Sequence, residues 1–335
     1  MFTELLKTHK KDIISSLHDV LTYQKSNSIN AWGIDAITRL ETFCSSGKML
    51  RGSLVFMGYA ITGKEVHTDV IKIATAMELF QAGFLIHDDI MDGDSLRRGN
   101  ASMHIQYANL FSQHAMPNHK IEGINFSICI GDLAFFYAYE LLESVKNNRI
   151  LRYTSRILSH TVQAQMQDVY FASAHKDPSI DDILSLYHHK TGEYSITLPM
   201  VLGAILGNAS DNTIHHLELF GKHMGIAYQL IDDRLNLFGN TRTTKKSTGS
   251  DIINGKKTLY YSLISQSQIG KALMETKDIS KIKTYCIETG IDDKIAKYTK
   301  QHISDAKEAL FHIPLPDTMQ DMMTECMTYL INRTS

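Results

Sequence analysis

The sequence predicts an all-α fold in a single domain that spans residues 1–335. Only five prolines interrupt the 335 residues, too few to punctuate an all-β chain. Long apolar stretches without proline lead into the polar motifs, and no linker rich in Pro, Gly and Ser divides the chain. Length alone would allow about two domains. Because composition does not shift along the chain, we expect one large helical domain.

Composition and charge exclude several classes of protein. The chain is 43% hydrophobic and 21% charged, which is ordinary for a soluble globular protein, and its net charge of −2 offers no electrostatic footprint for nucleic acid. The four cysteines form no CxxC pair, which favours buried thiols in a reducing cytosol over a zinc site or a disulfide framework.

Targeting and membrane signals are not expected. The N-terminus becomes polar within a few residues, so no secretory signal follows. The most apolar stretches, around Leu133–Leu142 and Ile196–Leu206, fall short of the roughly 20 residues of a membrane span. We therefore expect a cytoplasmic protein without a transmembrane segment.

The N-terminal part predicts helices and a first candidate anion site. Residues 3–43 have the pattern of an amphipathic helix with an interruption at Ser26–Asn30. Lys48 and Arg51 follow Gly47, three residues apart at the start of the next apolar run, and therefore share a helix face. With free backbone N–H groups they could bind one anion. Two solvated cations at a helix start explain the pattern equally well.

The central motif is an apolar helix that ends in carboxylates. Residues 79–92 read LFQAGFLIHDDIMD, so Asp88 and Asp92 lie one turn apart on one face, Asp89 points elsewhere, and Gln81 lies two turns before Asp88. Carboxylates spaced i, i+4 repel by about 0.2–0.5 kcal/mol in an isolated helix. Mg²⁺ would relieve that repulsion, because it accepts one or two carboxylates and completes its shell with water and phosphate oxygens. Alone, the pattern is more often a solvated acidic patch.

Two arginines, Arg97 and Arg98, follow this acidic motif closely. Arginine offers a rigid bidentate fork to phosphate and is always charged. Carboxylates followed by paired arginines are therefore consistent with metal ions and guanidinium groups that bind opposite sides of one polyanion.

The middle of the chain contains the most apolar predicted helix, Ile128 to Leu142, in which we expect Asp132 to be a satisfied buried carboxylate. On the next helix Asp168 is a candidate supporting carboxylate. The run from Lys190-Thr191-Gly192 to Pro199 disfavours a regular helix, because glycine costs about 1 kcal/mol there and proline removes an N–H. Such loosened backbone is consistent with carbonyls exposed at a site or with a bulky helix crossing.

A second acidic motif, QLIDDRLN at residues 229–236, echoes the first. It follows an apolar helix predicted over Phe220–Ile231, and Asn236 stands where a third carboxylate is expected. The two acidic helix ends could face each other across one cavity. Residues 240–251 and 255–258 then supply glycines and five cations, which suggests a lid that closes on phosphate, although a solvated loop has the same composition.

Together these motifs resemble those of the trans-isoprenyl diphosphate synthases, the polyprenyl synthetase family, over nearly the whole chain. The matching positions, in family order, are Gly47-Lys48-x-x-Arg51; Gln81; Asp88-Asp89-x-x-Asp92 with Arg97-Arg98-Gly99; Lys190-Thr191; Gln229-x-x-Asp232-Asp233; Lys246; and Gly255-Lys256. The resemblance implies a helical barrel of ten or more helices around a deep central cavity, usually as a homodimer.

The resemblance also implies an activity. Such an enzyme is a prenyltransferase that joins isopentenyl diphosphate head-to-tail to dimethylallyl, geranyl or farnesyl diphosphate. Mg²⁺ and fixed cations stabilise the departing diphosphate, and the allylic carbocation alkylates the homoallylic double bond. We expect a C15–C20 all-trans prenyl diphosphate as product.

Site roles are carried over from the resemblance residue by residue. Asp88, Asp92 and Asp232 would bind Mg²⁺, with three ions present when substrate is bound. Arg97, Lys190, Lys246 and Lys256 would hold the allylic diphosphate, whereas Lys48, Arg51, Gln81 and Arg98 would hold isopentenyl diphosphate. Thr191 and Gln229 would lie beside the forming carbocation.

Two departures from the family pattern concern Gly52, which replaces a common proline, and Asn236, which replaces an aspartate and predicts a weaker grip on metal. Product length depends in this family on bulky residues before the first aspartate. Here Phe84 would form one wall of the cavity that limits product length, Gly83 beside it would leave space, and Phe80 lies one turn below Phe84. Plain core packing of the two phenylalanines is the alternative.

Two rival functions share the fold. A terpene cyclase would lack the Lys48, Arg51 and Gln81 set and would carry an Asn/Ser/Glu metal motif in place of Asp232-Asp233. A non-catalytic subunit of a heteromeric synthase would be expected to lose its acidic motifs, and both motifs are present here.

Overall fold

A computed structural model describes residues 2–173, 177–239 and 248–332. Over these ranges the chain is helical apart from one hairpin, β1 (Leu96–Arg97) paired antiparallel with β2 (Asn100–Ala101). The all-α prediction is therefore confirmed. Lys246 and the other residues at 240–247 of the predicted lid lie outside the described residues.

The helices follow one another with short connections. In order they are α1 (Phe2–Ser26), α2 (Ala31–Ser45), α3 (Leu50–Ala60), α4 (Thr68–Met91), α5 (Met103–Gln113), α6 (His119–Ser144), α7 (Asn148–Ser173), α8 (Ile180–Tyr187), a π-helical segment (His188–Thr197), α9 (Leu198–Leu206), α10 (Asp211–Phe238), α11 (Ser250–Ile253), α12 (Leu259–Ile264), α13 (Gln268–Thr276), α14 (Ile279–Glu288), α15 (Ile291–Phe311) and α16 (Asp317–Ile331).

The chain divides into two compact units. Residues 3–152 and 202–208 form the first, and Phe2, residues 153–201 and the described residues from Ala209 onward form the second. The single domain expected from the sequence stays a prediction.

The core of the first unit is built around α4, which packs against α3 and α6, while α6 also packs against α5. Helix α4 begins after His67, whose side chain accepts a hydrogen bond from the Asp69 N–H. Most of the helix is buried, including Leu79 and Ile86. The predicted α4, with carboxylates at its end, is confirmed.

Helix α10 organises the second unit and packs against both the π-helical segment and α15. Glycines allow the π-helical crossing: a Cβ built on Gly225 would lie 2.0 Å from the Gly192 Cα, and one on Gly221 would lie 2.8 Å from the Thr197 Cα. The irregular backbone predicted from Gly192 and Pro199 is confirmed as a π-helix, and the crossing is a close approach of small residues, not a bulky one.

Three details differ from the sequence predictions. Helix α6 begins at His119, nine residues before the predicted Ile128. The prediction missed these first turns because their residues are mostly polar or exposed. Helix α10 continues to Phe238, since Asp233 and Leu237 keep a buried face beyond Ile231. All four cysteines, which lie within the described residues, are free thiols, but Cys129 is exposed and only the other three are buried as predicted.

Two helices, Thr68–Met91 and His119–Ser144, are long and apolar enough to cross a membrane by length and composition alone. The apolar stretches identified from the sequence are shorter than these helices, so the sequence analysis did not identify either helix as long enough to span a membrane. A buried core helix passes the same test, and 72% of the apolar window of Thr68–Met91 is buried within the protein, against 33% for His119–Ser144.

The Gly192–Gly225 approach makes a testable prediction. Gly225→Ala should destabilise the protein by about 1–3 kcal/mol, because the new methyl group would overlap backbone that cannot rotate away. Gly33→Ala is the matched control, since its Cβ would meet nothing closer than 3.4 Å. Chemical denaturation measures both, and equal stability of the two variants would contradict the crossing.

Candidate active site

The first acidic motif occupies the C-terminal end of α4. Asp92 caps the helix, and its N–H donates a 2.8 Å hydrogen bond to the Asp88 carbonyl. The side chain of Asp88 is 27% exposed, whereas that of Asp89 is fully buried. The two neighbouring carboxylates therefore point into different environments, as the helical spacing predicts.

Arg97 anchors the buried carboxylate. Its Nε lies 2.6 Å from Asp89 Oδ1, its Nη2 also contacts that oxygen, and Nη2 lies 3.3 Å from Asp94 Oδ2. Burial raises the pKa of Asp89 to about 6 despite the opposing arginine charge. The same guanidinium is 4.0 Å from Asp88 Oδ2, so Arg97 lies beside the predicted metal ligand.

The turn between β1 and β2 separates the paired arginines. Arg98 and Gly99 have φ values of +54° and +83°, which is the conformation of a two-residue type I′ hairpin turn. Arg98 Nη1 consequently reaches the end of α2, where it donates to the Phe43 carbonyl (3.3 Å) and to Ser46 Oγ (3.1 Å). The adjacent Arg97 and Arg98 therefore contact different groups of residues.

The structure brings Arg98 to the predicted anion site at Gly47. A Cβ on Gly47 would lie 3.2 Å from Arg98 Nη1, so any larger residue would displace the guanidinium. Lys10 on α1 donates a 3.0 Å hydrogen bond to the Gly47 carbonyl and adds a cation that sequence reasoning missed. Lys48 is exposed immediately before α3.

Glu78 is a second residue that the sequence analysis missed. It lies one turn before the buried Gln81 on α4, and its Oε1 accepts a 2.8 Å hydrogen bond from the buried Gly52 N–H. Burial raises the pKa of Glu78, while the Gly52 N–H and the positive charges of Arg51 and Arg98 act in the opposite direction. The only available sequence signal was an acidic residue within an apolar stretch.

Of the predicted chain-length residues, one differs from expectation. Phe84 is partly exposed and meets Phe135 edge-on at 4.9 Å, whereas Phe80 is fully buried and packs against Tyr139 at 5.1 Å. The prediction that Gly83 leaves open space is wrong. A Cβ there would lie 2.6 Å from Phe135 Cε1, because α6 approaches α4 closely at this point.

Asp132 also differs from its prediction. Its side chain is 50% exposed rather than buried, and Oδ1 lies 3.6 Å from His87 Nε2. The same His87 nitrogen is 3.1 Å from the Ile128 carbonyl. His87 therefore ties the end of α4 to α6.

In the second unit the π-helical segment presents Lys190 and Thr191. Lys190 Nζ donates to Asp168 Oδ2 at 2.5 Å, so Asp168 contacts one of the predicted site residues. Thr191 Oγ1 donates to Gln229 Oε1 at 3.0 Å. Two residues that the resemblance places beside a carbocation are thus in direct contact.

A hydrogen-bond chain continues from Gln229. Its Nε2 donates to Asp233 Oδ1 at 2.9 Å, and Asp233 Oδ2 accepts from the Tyr187 hydroxyl. That hydroxyl in turn accepts the Leu259 N–H at 2.9 Å. Burial raises the pKa of Asp233 well above its usual range, and the nearby Asp251 carboxylate adds to the effect.

Asn236 has a structural task in place of the metal contact expected at this position. Its Nδ2 donates to Ser250 Oγ at 2.7 Å, and its Oδ1 accepts the Asp251 N–H at 3.3 Å. These bonds attach α11 to α10. Asp232 is partly buried one turn earlier on α10.

The two lysines after Gly255 have different environments. The Lys256 N–H donates to the Asp251 carbonyl at 2.8 Å and its side chain is partly exposed. Lys257, one of the five cations of the predicted lid, is nearly buried and its Nζ donates to Asp177 at 3.0 Å. Lys257 is therefore a structural cation.

The Glu78 contact makes a prediction about stability. Glu78→Ala should cost about 1–3 kcal/mol, because it leaves the buried Gly52 N–H without an acceptor. Glu78→Gln keeps an acceptor oxygen and should cost less than half as much. Urea denaturation of both variants tests this, and an equal loss for both would contradict the role of the hydrogen bond.

Comparison with known proteins places these residues in context. The family model "Polyprenyl synthetase" matches residues 37–289. A short chain isoprenyl diphosphate synthase of Methanocaldococcus jannaschii is 29% identical over 64% of this chain and 61% of its own length. A geranylgeranyl diphosphate synthase of Mycobacterium tuberculosis is 28% identical over 73% of this chain and 65% of its own length. The chain thus matches somewhat less than two thirds of each of these relatives.

A solved structure is similar over nearly the whole chain. It is a geranylgeranyl pyrophosphate synthase of Corynebacterium glutamicum complexed with isoprenyl diphosphate and magnesium. The TM-score is 0.89 at 26% identity, and the alignment covers 98% of this chain and 99% of that one. The two proteins share the same all-α fold.

Proposed function

The chain belongs to the polyprenyl synthetase family, a family of prenyltransferases, and on that basis we propose that it is a Mg²⁺-dependent prenyl diphosphate synthase. It joins isopentenyl diphosphate to an allylic diphosphate. The allylic C–O bond breaks and diphosphate leaves with the electron pair. The allylic C1 then bonds to the homoallylic double bond, and a proton passes to diphosphate.

The observation that carries this proposal is the contact between Thr191 and Gln229. The Thr191 hydroxyl donates a hydrogen bond to Gln229 Oε1, so its oxygen lone pairs remain directed elsewhere. Gln229 is itself fixed by Asp233. Oriented oxygen dipoles of this kind stabilise a developing carbocation without attacking it as a strong nucleophile would.

The cationic side chains named in the sequence analysis divide into two groups, one for each diphosphate. In the first unit Arg51 and Arg98 lie near the buried Glu78, and together with Lys48 and Gln81 we assign them to isopentenyl diphosphate. Arg97, Lys190, Lys246 and Lys256 are assigned to the allylic diphosphate. Bidentate guanidinium groups and ammonium point charges are the side chains that proteins use for phosphate.

Asp88, Asp92 and Asp232 would hold Mg²⁺, and their oxygen-only donor set fits that ion. When bound, Mg²⁺ supplies charge stabilisation to the leaving diphosphate. We propose three ions with substrate present. Asn236 is excluded from this set because its side chain is bonded to Ser250 and to the Asp251 backbone.

The product is proposed to be C15–C20. The two relatives are a short chain and a geranylgeranyl diphosphate synthase, which is consistent with this range. Phe84 is partly exposed and is therefore the residue best placed to limit the chain, with Phe80 as the buried support one turn below. The homodimer and the cytoplasmic location stay predictions. The cyclase and non-catalytic subunit alternatives are not favoured, because these relatives are named as synthases.

Removal of a metal-binding carboxylate should abolish most of the activity. Asp88→Asn, Asp92→Asn and Asp232→Asn should each lower kcat/KM by about 10²-fold or more, because less charge stabilises the leaving diphosphate. Product formation from isopentenyl diphosphate and each of three allylic primers with Mg²⁺ is the assay, and a chelator should abolish it.

The control for these variants is Asp19→Asn, an exposed carboxylate on α1 outside every motif. It should retain full activity. Unchanged activity in all three motif variants would contradict the metal assignment, and absence of activity with every primer in the unmodified chain would contradict the function.

Phe84→Ala should lengthen the product by at least one isoprene unit, because the loss of the ring opens space beside Phe135. Chromatography of the dephosphorylated products measures chain length. Phe136→Ala is the matched control, since that ring is 68% exposed and should not affect length. An unchanged product distribution in Phe84→Ala would remove this residue from the wall.

A further inference from the structure

The second unit contains two histidine clusters that the proposed function does not use. In the first, His160 Nδ1 and His189 Nδ1 lie 3.2 Å and 2.9 Å from Glu193 Oε2. Each neutral imidazole can donate one Nδ1–H hydrogen bond to that carboxylate. This cluster is therefore fully hydrogen-bonded without an ion.

The second cluster lies between α10 and α15 and is not satisfied in the same way. His223 Nδ1 faces His302 Nδ1 at 3.0 Å and Asp305 Oδ2 at 3.5 Å. A neutral imidazole carries a single ring proton. One Nδ1 proton on His223 cannot fully serve both His302 Nδ1 and Asp305 Oδ2, and in the tautomer in which neither Nδ1 carries a proton three electron-pair donors face one another.

The protonation state of the cluster suits metal binding. Burial lowers the pKa of both His223 and His302, and the positive charge of Lys222 lowers both further, whereas Asp305 acts in the opposite direction. A lowered pKa favours the neutral imidazole, which is the form that binds metal ions.

The distances between the donor atoms are compatible with a coordination shell. The three donor atoms all lie within 4.8 Å of one another. In a tetrahedral zinc site with bonds of about 2.0–2.1 Å, donor atoms are separated by roughly 3.3 Å. Two of the three separations, 3.0 Å between His223 and His302 and 3.5 Å between His223 and Asp305, bracket that value.

We propose that His223, His302 and Asp305 form a binding site for a divalent transition metal of the zinc type. His302 and Asp305 are spaced i, i+3 and therefore project from one face of α15. The side chains of His223 and Asp305 are 21% and 29% exposed, which leaves solvent access and a fourth coordination position. Two nitrogens and one oxygen select Zn²⁺ or Co²⁺ over Mg²⁺.

A metal at this site joins two helices of the second unit. Helix α10 carries His223 and, about 9 Å further along its axis, Gln229 and the second acidic motif. The ion therefore fixes the helix that presents Gln229 and Asp232 against α15. Its binding energy adds to the stability of the folded state.

The test is a titration of the chelator-treated, full-length chain with Co²⁺ and with Zn²⁺ in a large excess of Mg²⁺, which occupies the oxygen-only sites. We expect one equivalent to bind with the visible d–d bands of a nitrogen-ligated Co²⁺ ion, and Zn²⁺ to raise Tm. His302→Ala and Asp305→Asn should weaken binding by about tenfold or more and remove the Tm shift.

The matched control is His160→Ala, which alters the other histidine cluster and should bind Co²⁺ as the unmodified chain does. Lys222→Ala should tighten binding, because it removes a nearby positive charge. Circular dichroism of the metal-free variants verifies folding, and Asp305→Asn preserves side-chain volume should His302→Ala fail to fold. No binding by the unmodified chain, equal binding by Asp305→Asn, or loss of binding in His160→Ala would each overturn the proposal.

Discussion

The structure depends on the cost of burying carboxylates in apolar helices. A buried carboxylate must be protonated, paired or hydrogen-bonded, because its desolvation is otherwise prohibitive. In both acidic motifs the second aspartate of the doublet is the buried one, and it is paired or hydrogen-bonded. Asp89 is paired with Arg97, and Asp233 accepts bonds from Tyr187 and Gln229.

This division of labour leaves the first aspartate of each doublet near solvent. Asp88 and Asp232 are partly exposed, while their neighbours are buried. The buried member holds the surrounding donors in place, and the partly exposed member is the one that we propose as a Mg²⁺ ligand. The same logic extends to Glu78, which is buried near Arg51 and Arg98 and orients the start of α3 through Gly52.

Much of the fold and of the site could be predicted from the sequence, because helical periodicity and motif spacing are local properties. Contacts made across long sequence separations could not. The Asn236 side chain bonds to Ser250 on α11, and Phe135 on another helix fills the space beside Gly83. The role of Glu78 depends on the hydrogen bond that it accepts from the Gly52 N–H. At Gly192 the local conflict did signal irregular backbone, because the segment is a π-helix, a geometry that is frequent at functional sites.

The most direct test of this division is the free energy of unfolding, measured without metal, for Asp88→Ala, Asp89→Ala, Asp232→Ala and Asp233→Ala. Asp89→Ala leaves the largely buried Arg97 without its main partner and should lose about 3–5 kcal/mol. Asp233→Ala should lose about 1–3 kcal/mol through two unsatisfied donors. The Asp88 and Asp232 variants should remain near the stability of the unmodified chain. Equal losses at both positions of each doublet would contradict the account.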